Sequence, residues 1–83
     1  MKFMIERYID IHSIEQMQRI FGEWFQLDGV TVEVHCGRYC VDGHSILGLM
    51  SLDYTNNIVS VVYSKESDFT ADELDHIHAV DLI

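Results

Sequence analysis

Asp42-Gly43-His44-Ser45-Ile46-Leu47-Gly48-Leu49-Met50-Ser51-Leu52 occupies the middle of the chain, and its reading decides the fold. Asp42-Gly43 breaks the segment before it. Ser45 is an N-cap residue, whose hydroxyl can satisfy one of the free amides that open a helix. Ile46 to Leu52 then makes about two turns of helix that is apolar on nearly every side. Such a helix is buried or presents an adhesive face. Ile46, Leu47 and Met50 share one face by their spacing, and Leu49 and Leu52 are assigned to the core.

Immediately upstream, Val30, Val32 and Val34 alternate with Thr31, Glu33 and His35, a half-buried strand. Gly37-Arg38 supplies a tight hairpin turn with glycine first. Tyr39 to Val41 returns antiparallel, setting Cys36 opposite Tyr39, His35 opposite Cys40 and Val34 opposite Val41. Further upstream, Phe3 to Ile9 alternates with a period of about two and reads as a strand. Ser13 with Gln16 reads as a capping box. It opens a helix whose stripe is Ile14, Met17, Phe21, Trp24 and Phe25, ending at Asp28-Gly29.

Downstream, Asn56-Asn57 is a turn, and the β-branched run from Ile58 to Tyr63 reads as a central strand. Thr70 with Glu73 is a second capping box, opening a helix through about Val80 with Phe69, Leu74, Ile77 and Val80 facing inward. The order is β-α-β-β-α-β-α, an α+β open-faced sandwich with the helices on one side of the sheet. No proline, repeat or linker interrupts it, so residues 1–83 read as one domain.

Composition limits the function. Five Lys+Arg against fourteen Asp+Glu give a formal charge of −9, too acidic to neutralise nucleic-acid phosphates or to bind an anionic membrane. Protein partners remain. No run approaches the 18 or so apolar residues of a membrane span, and Glu6 follows Met1 too soon for a secretory core. The expected setting is the reducing cytoplasm, with Cys36 and Cys40 as free thiols.

The Ser45-Ile46-Leu47-Gly48-Leu49-Met50-Ser51-Leu52 run resembles the second-helix segment of HPr, the phosphocarrier protein of the bacterial sugar phosphotransferase system. Members of that family carry a Ser-Ile-hydrophobic-Gly-hydrophobic-hydrophobic-Ser-Leu run there. The resemblance extends to chain length and element order. It implies a four-stranded antiparallel sheet with three helices on one face. The family's active site is Gly-Ile-His-Ala-Arg-Pro-Ala at the head of the first helix. This chain has Asp10-Ile11-His12-Ser13-Ile14-Glu15-Gln16, with His12 at the phosphorylated position when counted back from Val30. The arginine, proline and glycine positions hold Ile14, Glu15 and Asp10. The resemblance therefore implies a carrier histidine without its supporting groups.

A histidine at a helix N-terminus is favoured as a neutral nucleophile, and free amides there can hold a phosphoryl group. An arginine would clamp that group bidentately, whereas Asp10 and Glu15 repel it. His12 is thus the candidate phosphoryl acceptor, with weak or absent transfer expected. In some relatives the serine matching Ser45 is phosphorylated by a dedicated kinase as a regulatory mark. Ile46, Leu47 and Met50 match the family's partner-docking patch. The resemblance implies partners such as an enzyme I-like protein, sugar-permease components, HPr kinase or regulatory proteins, and a phosphoryl carrier at most, without catalytic turnover of its own. The alternatives are a binding module on the same fold that has lost phosphotransfer, and, below both, a small metal or redox protein. No cofactor is expected. His35, Cys36, Cys40 and His44 lack zinc-ligand spacing, and the hairpin turns Cys36 away from His35 and Cys40, so no metal is assigned. His76 and His78 diverge by about 200° around a helix and do not chelate together.

Overall fold

The β-branched run is the middle of the molecule. In the computed structural model, which describes residues 1–83, it forms β4 (Val59–Lys65). This strand lies between β1 (Phe3–Ile9) and β2 (Thr31–Cys36), and β3 (Tyr39–Asp42) completes the sheet in the order β1-β4-β2-β3. All neighbours are antiparallel. Three helices, α1 (Ile14–Phe25), α2 (Ile46–Met50) and α3 (Ala71–Leu82), cover one face.

The inner face of the sheet alternates as strand geometry requires: Val32, Val34 and Cys36 from β2 meet Val59, Val61 and Tyr63 from β4. Met17, Ile20 and Trp24 of α1, Leu49 of α2, and Ile77 and Val80 of α3 close over them as one core. Trp24 buries its polar end by donating Nε1–H to the Tyr63 hydroxyl at 2.8 Å. The β2–β3 hairpin has the expected register, with Val34 opposite Val41, His35 opposite Cys40 and Cys36 opposite Tyr39. Gly37 adopts φ +63°, and an added Cβ would lie 2.8 Å from Asn57 Oδ1. The turn therefore favours glycine on conformational grounds, while the exposed Asn57 side chain can swing clear of a Cβ.

Several sequence expectations shift. The α1 stripe is Met17, Ile20 and Trp24, while Ile14 and Phe25 stay 60% and 65% exposed. At 100° per residue those two lie about 80–100° around the helix from Trp24, on the flank of the buried face. The helix stops at Phe25, because Leu27 must turn into the core. Gly29, at φ +81°, carries the chain from there into β2. β4 begins at Val59 rather than Ile58 and continues to Lys65 through its pairing with β1. α2 closes at Met50, with Leu52 buried just beyond it, and α3 runs on to Leu82.

Candidate functional site

The head of α1 positions His12. Ser13 caps the helix in extended conformation, its Oγ accepting from the Gln16 amide at 3.0 Å. The expected capping box is not completed. Gln16 instead reaches one residue further back, its Oε1 accepting from the His12 amide at 2.5 Å while its Nε2 donates to the Asp10 carbonyl at 2.6 Å. A buried glutamine side chain thus fastens the 10–12 loop to the helix, and Ile11 anchors that loop in the core. His12 itself is exposed.

Two hollows flank His12. One of about 610 Å³ includes Arg7, Asp10, Gln16 and Asp81 in its lining, the other of about 460 Å³ Tyr54 and Asn56. Arg7 is the cation of the larger hollow, and its Nε stands 3.6 Å from Asp81. That contact is an ion pair without a hydrogen bond, between side chains that are both partly exposed. At the position expected to hold an arginine, Ile14 projects into solvent. The backbone geometry for holding an anion is present, since the amides of Ile14 and Glu15 open the helix without intrahelical acceptors. Position 14, where an arginine would complete it, holds isoleucine.

The second site is α2. The Asp42 carboxylate accepts from the His44 amide at 2.8 Å, forming a turn, and the Ser45 amide donates to the Asp42 carbonyl at 3.0 Å. Ser45 is exposed and caps α2 as expected, with Oγ accepting from the Gly48 amide at 3.3 Å. Gly48 sits close to β3, where a Cβ would stand 3.4 Å from Val41 Cβ. Leu49 is fully buried, whereas Ile46, Leu47 and Met50 are 36%, 83% and 42% exposed. The helix therefore divides into one inward anchor and an outward apolar triad beside Ser45. Neither Ser45 nor the triad lines the hollows around His12. The loop after α2 lies between the two, with Tyr54 lining the smaller hollow and donating its hydroxyl to the Leu49 carbonyl.

A crystal structure of a phosphocarrier protein HPr from Bacillus anthracis str. Ames superposes with a TM-score of 0.67, over 95% of this chain and 94% of that one. The chain has the HPr fold. Sequence identity with that protein is 14%, so the likeness is one of architecture. No protein-family model and no curated protein matches the sequence. On the HPr fold, His12 heads the first helix and Ser45 caps the second. No helix is long and apolar enough to cross a membrane.

Two features escaped the sequence reading. Gln16 was assigned to the Ser13 cap, whereas it braces His12. Arg7 was read only as part of the alternation of the first strand, whereas it lines the hollow beside His12. Both depend on side-chain reach across the chain, which periodicity does not report.

Proposed function

We propose that residues 1–83 act as one domain, a regulatory protein of HPr type that docks onto protein partners through Ile46, Leu47 and Met50. The partners are those of a bacterial sugar phosphotransferase system in the cytoplasm: enzyme I-like or permease components, HPr kinase or regulators. The observation that carries this reading is the apolar triad, exposed on a helix whose inward side is anchored by Leu49 and whose cap is the accessible Ser45. Phosphate on Ser45 would add about −1.5 to −2 charge at the rim of the triad. It would weaken a partner that buries the patch and favour one presenting arginine.

Phosphoryl transfer at His12 is the second reading, and the exposure of that residue at the head of α1 favours it. The carboxylates of Asp10 and Glu15 and the isoleucine at position 14 oppose it. In this reading the Gln16 brace is a support for the 10–12 loop without being a charge partner for phosphate.

Mass spectrometry separates the two. With phosphoenolpyruvate and enzyme I, slow or no labelling of His12 is expected. With HPr kinase and ATP, one phosphate is expected on Ser45 and none on Ser45→Ala. Rapid labelling from phosphoenolpyruvate that His12→Ala abolishes would make the chain a working carrier. Equal labelling of wild type and Ser45→Ala by the kinase would leave Ser45 as a helix cap only.

A further inference from the structure

The helix-free face of the sheet carries a cluster that none of the preceding chemistry uses. Glu33 and His35 alternate outward along β2, and Cys40 faces His35 directly across the hairpin. His35 Nε2 lies 3.3 Å from Glu33 Oε2 and 3.8 Å from Cys40 Sγ, and the three donor atoms all fall within 4.8 Å of one another. The spacing of His35, Cys36, Cys40 and His44 and the inward facing of Cys36 had argued against a metal here, because Cys36 was weighed as a ligand. Cys36 is indeed turned into the core, but Glu33 takes the third place from the same face. The signal was available in the alternation of β2, which sets every second residue on one side.

We propose that Glu33, His35 and Cys40 form a binding site for a divalent transition-metal ion of the zinc class. Such an ion takes nitrogen and oxygen at about 2.0–2.1 Å and thiolate sulfur at about 2.3 Å, in tetrahedral geometry. The edges of that tetrahedron are about 3.3 Å for N···O and about 3.6 Å for N···S, against the observed 3.3 and 3.8 Å. His35 thus stands at coordination spacing from both partners to within a few tenths of an ångström, and the Glu33 and Cys40 donors, within 4.8 Å of each other, close on the ion by side-chain rotation. β2 is an interior strand, paired on both edges, so two of the three ligands ride on a fixed backbone.

The donor set is borderline-soft, with thiolate, imidazole and carboxylate, and it disfavours magnesium and calcium, which require oxygen ligands. No Lys or Arg ion-pairs with Glu33, so the carboxylate is free to turn to a metal. The formal charge of −9 raises the local concentration of cations. Asp42, opposite Glu33, is held by His44, so water takes the fourth position. On binding, the Cys40 S–H bond breaks and its proton leaves to solvent as the thiolate–metal bond forms. His35 binds through Nε2 and keeps its proton on Nδ1.

The test is a titration of the reduced full-length chain with cobalt(II), and with zinc against a chromophoric chelator. One ion per chain is expected, with a thiolate-to-cobalt charge-transfer band and the intense visible bands of a four-coordinate site. Cys40→Ser should abolish the charge-transfer band. His35→Ala and Glu33→Gln should each lower zinc affinity about 10-fold or more, at least the loss typical of disturbing a group behind the ligands. All three positions are on the surface, so circular dichroism and melting temperature should stay at wild-type values. A band that survives in Cys40→Ser, one ion per two chains, zinc affinity unchanged in His35→Ala or Glu33→Gln, or cobalt spectra of a six-coordinate aquo ion would each overturn the proposal.

Discussion

Gly43 shows how one missing side chain holds the hairpin to the helices. Its amide donates to the Val32 carbonyl at 2.8 Å, closing the chain after β3 over the core. A Cβ at this position would sit 2.5 Å from Val32 Cγ1 and 3.2 Å from Trp24 Cε3. Both neighbours are fully buried, so neither can swing into solvent. Gly43→Ala is expected to cost about 1–3 kcal/mol by overpacking, read as a lowered urea midpoint; an unchanged midpoint would mean that the backbone there yields freely. Tyr63 is the polar counterpart. Burial pushes its phenol up to about 12, so it stays neutral and able to accept from Trp24. Tyr63→Phe leaves the indole N–H buried without that acceptor, and a loss of about 1–3 kcal/mol is expected in the same measurement.

At the scale of elements, what was legible depended on whether the deciding contact was local. Ser45 and the Thr70–Glu73 capping box act within one turn of their helices, and both stand where the sequence places them. The β2–β3 register follows from a two-residue turn, and it too is read correctly. The α1 face was displaced because Ile14 and Phe25 are apolar yet lie at the edge of the surface that α1 presents to the sheet. Hydrophobicity cannot say where a stripe is centred; the partner does. The same holds at the site: the resemblance set His12 at the head of the first helix, where it stands, but the reach of Gln16 and the contact of Arg7 with Asp81 are tertiary. α2 supplies the sharpest test of element-level reading. Leu47→Asp should abolish partner binding while changing stability by no more than about 0.5 kcal/mol. Leu49→Ala, two residues on, should cost about 2–5 kcal/mol by leaving a cavity. Urea denaturation beside a binding assay checks both; equal destabilisation by the two variants would mean that Leu47 is core.

Across the whole molecule, ionic contacts supplement the apolar anchors Ile77 and Val80 of α3. Its buried apolar residues are only Ile77 and Val80, yet it reaches three other elements through ion pairs. Asp81 meets Arg7 of β1, Glu73 meets Lys65 of β4 at 2.7 Å, and His76 Nδ1 meets Glu23 of α1 at 2.7 Å. The hydrogen bond to Glu23 raises the His76 pKa above 6.5, partial burial opposes it, and the charges of Glu23, Asp72 and Asp75 add to the rise. A group whose folded pKa is raised binds its proton more tightly in the native state. Its contribution is therefore complete below the unfolded value near 6.5 and is lost as pH climbs through the higher folded value. Glu73 behaves oppositely: its pKa is lowered, chiefly by the hydrogen bond from Lys65, so its contribution is lost as the solution is acidified through the folded value. The stability profile should thus be limited by Glu73 on the acid side and eroded by His76 as pH rises through its raised folded value. Because pairs this close to the surface are worth about 0.2–1 kcal/mol, the test is a difference curve. Urea stability of wild type minus His76→Gln, followed from pH 5 to pH 9, is expected to be positive at the acid end and to decline through the titration of His76. A flat difference would show that Glu23 and His76 meet without coupling, and that α3 is held by Ile77, Val80 and the two remaining ion pairs.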